Sequence, residues 1–336
     1  MKNFWRWVIG FVTLGLVVYL LTKVDFAEVW RLVVQSDHWY FLLAFVLYGL
    51  SIVILTWRFK YFLDPVTKSS FFFLLKNSVM GFFIGTITPA TQMGGDPVRA
   101  HYIGKEYGIK RSTIFGVVMA DRFYHALVSF FFVLLSAFFA FTFLPLSHDL
   151  KLLFQGIFFL IIFLTAAFFI GRFLHKKYDL SKWFGKLMPF LRKKKVRRKK
   201  PKKWKKIFLE HFGNFSEIFK KELFDRKLAT VGITFSLVYW ILDILVSYVL
   251  FFAFGTHVSF FLVMLVFNAG ILIGEFSPTP GGVGLIEGGM FFLYSIAGIS
   301  TALALAVALL SRIIFYFYSL VLGGWSLVNL EKNVGP

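Results

Sequence analysis

The sequence predicts an all-α protein that crosses a membrane several times. Three observations support this prediction: 58% of the 336 residues are hydrophobic, only 16% are charged, and apolar runs recur along the whole chain. A soluble globular chain is about 45–50% apolar and about a quarter charged. An apolar helix needs roughly 20 residues to cross about 30 Å of hydrocarbon, and most of the runs reach that length.

The apolar runs give the order of the predicted helices. Lys2 and Arg6 lie at the start of the first run, and no small-residue cleavage site follows it. We therefore expect a retained transmembrane helix there rather than a signal peptide. The runs lie at 4–22, 39–57, 71–88, 113–144, 152–174, 228–254, 259–276, 283–298 and 301–328.

Several kinds of chemistry are excluded or disfavoured by composition. The chain has no cysteine, which excludes disulfides, cysteine-ligated zinc, iron–sulfur clusters and thiol nucleophiles. Its seven histidines are scattered, and no G-x-x-x-x-G-K-[ST] motif for ATP occurs. We therefore expect no catalytic residue, no metal and no cofactor, and we expect the protein not to be an enzyme.

Basic residues predict the orientation of the chain. The net charge is +20, and much of the excess lies at 172–206, which should be cytoplasmic. The basic segments 58–70, with Arg58, and 99–111, with Arg99, favour the same side. Both can be cytoplasmic only if 71–97 enters the membrane and returns as a re-entrant element. This predicts a multi-pass protein of the cytoplasmic (inner) membrane with both termini in the cytoplasm.

The polybasic segment 172–206 also predicts a partner. Each basic side chain near an anionic cytoplasmic leaflet contributes about 1 kcal/mol of binding, so we expect the segment to bind that lipid surface. Charge alone also fits nucleic acid, but no recognisable nucleic-acid-binding module accompanies it, and we expect none to bind. The remaining alternative is a solvated loop that only determines topology.

An internal repeat is predicted by the pattern G-x-x-I-G-x-[IF]-[ST]-P, which occurs at 81–89 and again at 270–278. A glycine pair follows each copy, and then an arginine, Arg122 or Arg312, in an apolar segment. If both copies are re-entrant, they form an inverted-topology repeat around a transport site. The alternatives are a chance match and two ordinary spans at 259–276 and 283–298.

The repeat divides a single predicted transmembrane domain, 1–336, into three parts. Pseudo-repeat 1 covers about 39–144, a cytoplasmic polybasic loop covers 172–227, and pseudo-repeat 2 covers about 228–330.

Charged side chains inside apolar segments are functional candidates, because an isolated charge in hydrocarbon is costly and usually faces a protein interior or a cavity. Asp121 and His125 are four residues apart and share a helix face. Arg312 has no acidic neighbour in its own helix, so its partner is a ligand or lies elsewhere. The alternative is structural pairing, with Asp121 for Arg122 and Asp243 for Arg312. The same set includes Asp96, Arg99, Glu275 and Glu287.

Two glycine-rich turns predict contact with an anion. Glycine allows backbone N–H groups to approach an anion closely, and a helix N-terminus favours it electrostatically. The turn at 280–284, before a helix at Leu285, and the turn at 93–97, with Arg99 beside it, fit this role. The alternative is a tight turn without a ligand.

Three segments together resemble the lysylphosphatidylglycerol synthase transmembrane-domain family of flippase-like membrane proteins. They are ITPATQMGGDPVRA at 87–100, ADR at 120–122 and SPTPGGVGLIE at 277–287. The resemblance covers nearly the whole chain. It implies about eight transmembrane helices with re-entrant elements. It also implies a role in translocating or presenting an anionic or aminoacylated lipid.

The resemblance also implies a set of binding residues. Glu275, which flanks the second glycine-rich turn, and Arg312, which lies inside the last apolar segment, are added to this set because of their positions and not by motif match. Family members that transfer amino acids carry a large soluble domain after the membrane part, whereas this chain ends at Pro336, so lysyl transfer is not implied. By motif match the predicted binding residues are Gly94, Gly95, Asp96, Arg99, Arg122, Pro280, Gly281, Gly282, Gly284 and Glu287.

The sequence therefore predicts a flippase-like transporter of an anionic or phosphate-bearing lipid, either a phospholipid or a polyprenyl-phosphate carrier. The alternative is a non-transporting scaffold that presents lipid to a partner transferase, or anchors one, and a homo-oligomer is also open. The scaffold predicts that every buried arginine pairs with Asp121, Asp243 or Glu275. Transport would use an ion gradient or run downhill.

Overall fold

The computed structural model describes residues 26–88, 94–143, 203–275, 277 and 279–334, together with 148, 151–152, 155–156 and 158–159. These residues form helices and contain no strand. Four helices are long and apolar enough to cross a membrane, so the prediction of an all-α polytopic membrane protein is confirmed. The helices are α1 (Phe26–Gln35), α2 (His38–Leu63), α3 (Phe71–Ile87), α4 (Gly95–Glu106), α5 (Arg111–Phe143), α6 (Lys203–Phe224), α7 (Arg226–Ala253), α8 (Phe260–Glu275), α9 (Leu285–Ile296), α10 (Thr301–Tyr316) and α11 (Gly323–Val334).

The chain forms two compact units. The first comprises 1–136 and 211–336, and the second comprises 137–210. In the second unit the rings of Phe138 and Phe158 lie 6.3 Å apart. The structural contacts discussed below all lie within the first unit. The organisation into one membrane domain with two pseudo-repeats stays a prediction.

The four long apolar helices correspond to the predicted segments 39–57, 113–144, 228–254 and 301–328. They are His38–Leu63, Arg111–Ala140, Arg226–Ala253 and Thr301–Lys332, the last formed by α10, a π-helical stretch at Phe317–Leu322 and α11. Aspartates cap two of them: Asp37 accepts the Trp39 N–H, and Asp225 accepts the N–H groups of Lys227 and Leu228. The predicted span 4–22 and most of 152–174 lie outside the described residues.

The first hairpin consists of α3 and α4. Asn77 of α3 donates to the carbonyl of Arg99 in α4, and Gly81 packs directly on Gly95. The later residue of α3 therefore contacts the earlier residue of α4, so the two helices are antiparallel. At about 1.5 Å per residue, α3 is about 26 Å long and α4 about 18 Å. Both fall short of the hydrocarbon thickness of about 30 Å.

The second hairpin consists of α8 and α9 and repeats this arrangement. Gly270 packs on Met290 and Gly274 on Ile286, so these helices are antiparallel as well. Their lengths, 16 and 12 residues, are also too short for a full crossing. The lengths fit the re-entrant interpretation of both segments. The membrane side from which each hairpin enters stays a prediction.

The turn of the second hairpin packs against the end of α3. Pro280–Gly282 forms a 3-10 turn in which Gly281 and Gly282 have φ of 61° and 70°, a region that favours glycine. A Cβ at Gly281 would lie 3.0 Å from the carbonyl oxygen of Thr86, so the backbones are in close contact. The broken elements of the two halves therefore meet.

The segment 172–227, predicted as a polybasic loop, contains helix α6. The last turns of α6 pack on α5, where the Tyr124 hydroxyl donates to the Leu223 carbonyl at 2.8 Å and Phe215 lies against Gly116. Apolar residues at helical spacing supply this packing face, and the lysines among them obscured it in the sequence. Residues 172–202 lie outside the described part. The face is formed by Phe215, Ile218, Phe219 and Leu223.

Two basic residues that were used to predict orientation lie in the interior. Arg58 belongs to α2 and is 1% exposed, and Arg99 belongs to α4 and is 3% exposed. Assigning them to cytoplasmic loops is wrong. Protein groups rather than water surround both guanidinium groups, so these two residues carry no information about the membrane side.

We predict that Gly95→Ala destabilises the protein by about 1–3 kcal/mol, the usual range for overpacking a tight contact. The new methyl group would overlap the carbonyl oxygen of Gly81 and separate the two helices of the first hairpin. Thermal unfolding in detergent, with ligand-free protein, measures this loss.

Gly213→Ala is the matched control, because a Cβ at this helical position meets nothing within 4 Å. Alanine favours helix over glycine, so this variant should be as stable as the wild type or more so. Equal stability of the two variants would contradict the close packing of Gly95 on Gly81.

Candidate functional site

Arg58 lies at the centre of a buried charge network that joins α2, α5 and α7. Its Nε and Nη2 donate to the two carboxylate oxygens of Asp121 at 2.6 and 3.0 Å. Its Nη1 donates to the Ser236 hydroxyl at 2.7 Å. A bidentate guanidinium–carboxylate pair is strong and directional, so this contact fixes the three helices relative to one another.

His125 completes the surroundings of Arg58. Arg58 Nη1 lies 3.1 Å from His125 Nδ1. Because a guanidinium has only donors, Nδ1 accepts and the imidazole is neutral with its proton on Nε2. The ring stacks on Trp240 at 5.2 Å and contacts Tyr239 edge-on at 5.0 Å. The prediction that Asp121 and His125 share a helix face is confirmed, since both reach one guanidinium.

Asp96, in the first turn of α4, forms ion pairs with two arginines. Arg122 Nε lies 2.9 and 3.2 Å from its two oxygens, and Arg122 Nη2 lies 3.0 Å from Oδ1. Arg99 Nη1 lies 3.6 Å from the same Oδ1. Asp96 therefore binds Arg122 closely and Arg99 only at the limit of an ion pair. The alternative pairing of Arg122 with its neighbour Asp121 is not the one observed.

Arg99 is held in place with little charge compensation. Its Nη2 donates weakly to Ser78 at 3.4 Å, and its guanidinium lies 4.4 Å from the centre of the Phe59 ring. Within the described part of the chain, its buried Nε has no hydrogen-bond partner. Gly81 makes room for the side chain, because a Cβ there would lie 2.5 Å from Arg99 Cδ.

Glu287, in the first turn of α9, forms the corresponding pair with Arg312 of α10. Arg312 Nε donates to Glu287 Oε1 at 2.9 Å, and its Nη2 donates to the Gly281 carbonyl at 3.1 Å. The Tyr316 hydroxyl accepts from Arg312 Nη2 and donates to Glu287 Oε1. The sequence predicted that Arg312 has no acidic neighbour in its own helix, and its carboxylate partner is Glu287, 25 residues earlier in the chain.

The donors of the glycine-rich turn at 280–284 are used within the turn. Gly284 N–H donates to Glu287 Oε2 at 2.7 Å, so the Glu287 carboxylate caps the start of α9. The N–H groups of Gly282 and Val283 donate to the carbonyls of Thr279 and Pro280. In this conformation these three donors already have protein acceptors, so the turn holds Glu287 where the sequence predicted an anionic ligand.

The two hairpins carry matching acid–arginine pairs. In each, the acid lies in the first turn of the second helix, and its arginine lies 26 or 25 residues later in the next long helix. This correspondence between Asp96–Arg122 and Glu287–Arg312 supports the predicted repeat. The two differ in one respect: only the first hairpin adds a second arginine, Arg99.

The structure brings most of the predicted binding residues to these two clusters. Gly94 and Gly95 open α4 beside Asp96, and Pro280, Gly281, Gly282 and Gly284 form the turn above Glu287. The side chain of Glu275 lies outside the described residues. Within the described ranges, no group of three or more His, Asp or Glu side chains has metal-binding geometry.

Several site residues were not predicted from the sequence, or were predicted to have a different partner from the one observed. Asp243 is buried on α7 and interacts with Tyr239 and with the charge of Arg312, whose salt bridge is to Glu287. The involvement of Arg58 was missed because a basic residue at the end of an apolar run resembles a topology signal. Ser236 and Tyr316 were also missed, since nothing in their sequence context distinguishes them from other small or aromatic residues in these helices.

Comparison with known proteins identifies the family. The sequence profile described as "Lysylphosphatidylglycerol synthase TM region" matches residues 6–323. The chain belongs to this family. The resemblance carried by the two glycine-rich motifs is therefore confirmed.

Similar proteins of this family occur in archaea. A "UPF0104 membrane protein" of Pyrococcus horikoshii is 28% identical over 347 aligned positions, covering 99% of this chain and 98% of that protein. A "UPF0104 membrane protein" of Methanothermobacter thermautotrophicus is 26% identical over 321 positions, covering 94% and 92%. One from Methanocaldococcus jannaschii is 27% identical over 326 positions, covering 95% and 93%. None of these names states a catalytic activity.

We predict that Glu287→Gln destabilises this family member by about 3–5 kcal/mol, because it leaves the Arg312 guanidinium buried without its carboxylate. Glu287 and Arg312 are each 7% exposed, so water can compensate little of the loss. Thermal unfolding in detergent measures the difference.

The control is Lys60→Gln, which breaks the pair between Lys60 and Asp64 at 2.8 Å. Their side chains are 19% and 30% exposed, so this change should cost no more than about 1 kcal/mol. A Glu287→Gln variant as stable as Lys60→Gln would mean that the second pair is open to solvent.

Proposed function

We propose that the protein is a flippase-like transporter that moves an anionic, phosphate-bearing lipid across the membrane. One observation carries the proposal. Among the described residues, the cluster at the first hairpin contains three guanidinium groups, from Arg58, Arg99 and Arg122, against two carboxylates, from Asp96 and Asp121. Counted over these five described side chains, the cluster carries one more positive charge than negative charges.

The excess charge falls on Arg99. Asp121 is taken by Arg58 through a bidentate pair, and Asp96 makes its short contacts with Arg122. An uncompensated charge in a protein interior is costly, and an arginine is rarely buried without a partner. A bound anion would remove this cost.

A phosphate group fits the donors that Arg99 presents. The guanidinium is a planar fork that matches the geometry of phosphate oxygens, and its Nε has no protein acceptor among the described residues. The helix N-terminus at Gly95 lies one turn away and favours negative charge. An anion bound beside Arg99 would therefore meet both a fork and a helix N-terminus.

The broken hairpins supply a framework suited to transport. Interrupted helices in corresponding positions of two halves are typical of transporters, where they line the substrate site near the middle of the membrane. Non-helical backbone at membrane depth needs protein or a water-filled cavity around it. The contact between Gly281 and Thr86 places the two interruptions together.

A non-transporting scaffold is the second candidate, and the ion pairs favour it in part. Arg58, Arg122 and Arg312 each have a carboxylate partner, although for Arg122 and Arg312 the partner is Asp96 or Glu287 rather than the acids predicted. Arg99 separates the two candidates, since a scaffold has no need for its charge. The lipid itself, phospholipid or polyprenyl phosphate, is left to experiment.

We predict that Arg99→Gln lowers lipid translocation in proteoliposomes by about 10- to 150-fold. This range corresponds to the loss of a charged hydrogen bond of about 1.5–3 kcal/mol. The assay compares fluorescent phosphatidylglycerol, phosphatidylcholine and a polyprenyl phosphate, with and without a proton gradient. The translocation rate of Arg99→Lys should lie between the rates of the wild type and Arg99→Gln, because lysine keeps the positive charge but lacks the planar fork of a guanidinium.

Two further measurements make the result specific. Arg226→Gln, at an exposed arginine that begins α7, should translocate like the wild type. Arg99→Gln should be at least as stable as the wild type without lipid, because it removes the excess charge. Two results would contradict the transporter and leave the scaffold as the remaining candidate. One is equal movement of an anionic lipid by Arg99→Gln and the wild type, and the other is no movement by either protein under any gradient.

A further inference from the structure

Glu222 is a buried carboxyl group that the ion pairs described above do not use. It lies in the last turn of α6 and is 3% exposed. Its Oε2 has no hydrogen-bond partner within the described ranges. Because a buried carboxylate oxygen without a donor disfavours the ionised group, Glu222 is favoured in its protonated, neutral form.

The charged neighbours of Glu222 come from each element packed around it. From α5 it faces Asp121 and Tyr124, and from the start of α7 it faces Asp225. On its own helix the neighbour is Lys221, and Arg58 of α2 is linked to Glu222 only through Asp121, to which it is paired. Two of these neighbours are carboxylates, and the only unpaired positive charge among them is on the exposed Lys221.

Burial is the main cause that raises the pKa of Glu222, to about 8, and the negative charge of Asp121 adds to it. The usual pKa of a glutamate is about 4.3. Glu222 is therefore protonated at neutral pH and ionises as the pH rises through about 8.

We propose that Glu222 is the proton-binding site of the transporter and that proton uptake there is coupled to binding of the anionic headgroup at Arg99. This inference rests on the proposed function. The coupling follows from charge: with Glu222 protonated, the network of Arg58, Arg99, Arg122, Asp96 and Asp121 carries one excess positive charge. With Glu222 ionised, the same network together with Glu222 is neutral.

The sign of the coupling follows directly. Ionised Glu222 adds negative charge next to Asp121 and weakens the attraction for an anion, so affinity for the headgroup falls as the pH rises through about 8. Linkage is reciprocal, so the bound anion raises the proton affinity of Glu222 by the same factor. Proton and lipid are then bound together, which is the requirement for symport.

The test is binding of short-chain phosphatidylglycerol to the full chain in detergent, measured calorimetrically between about pH 7 and about pH 9.5. Its phosphodiester stays ionised over this range, and an ordinary imidazole, with a pKa of about 6.5, is mostly neutral throughout it. We expect the wild-type affinity to fall across this range by about 5- to 150-fold, the usual size of a coupling between sites. Glu222→Gln should bind at every pH with the affinity of the wild type at pH 7.

Glu217→Gln is the matched control, because Glu217 lies one and a half turns earlier on the same helix and is exposed. It should keep the wild-type pH dependence. Infrared difference spectroscopy across the same range provides a readout without lipid: a protonated-carboxyl band should disappear in the wild type as the pH rises and be absent from Glu222→Gln.

Each outcome decides between the two proposals. Lipid binding that is independent of pH in the wild type, or equally pH-dependent in Glu222→Gln, would overturn the role of Glu222 and leave the transporter intact. The absence of the carboxyl band from the wild type would do the same. Failure of the wild type to bind any anionic lipid at any pH would overturn the proposed function and the coupling with it.

Discussion

Arg99 and Arg122 share one carboxylate, and this unequal sharing shapes the site. Asp96 lies 2.9 Å from Arg122 but 3.6 Å from Arg99, so the charge of Arg99 is compensated only weakly. The packing around it keeps the guanidinium in place: Gly81 leaves room for its stem, and the Phe59 ring covers its face. A desolvated cation with weak compensation is costly, and under the proposed function the anionic headgroup of the lipid removes this cost.

The two hairpins use the same elements with different charge balance. In the second hairpin the Glu287 carboxylate accepts from Arg312, Tyr316 and the Gly284 N–H, so the charges are balanced and the turn is closed. In the first hairpin the corresponding acid faces two arginines. The two hairpins therefore share a backbone arrangement but differ in charge, and this difference is why we propose that the ligand binds at the first hairpin. In the same proposal, protonation of Glu222 on α6 changes the charge balance.

The sequence was sufficient for the features that follow from composition and local pattern. Apolar runs predicted the long helices, and the repeated G-x-x-I-G motif identified Gly81 and Gly270, where helices pack closely. The partners of the arginines depend on tertiary contacts and were not predictable: Arg58 meets Asp121 across 63 residues. Glu222 was missed because its burial depends on the docking of α6, which its many lysines disguise. The phosphate-binding role of the turn at 280–284 was plausible from glycine content, yet its donors face Glu287 and neighbouring carbonyls.

The most direct measurement is an experimental structure in lipid nanodiscs that contain phosphatidylglycerol, at about pH 7. We propose that a lipid phosphate neutralises Arg99. We therefore expect a phosphate oxygen at about 2.9 Å from Arg99 Nε, with Asp96 still on Arg122. A structure in which a carboxylate of the chain completes Arg99, with lipid phosphates only at the outer surface of the helices, would contradict it.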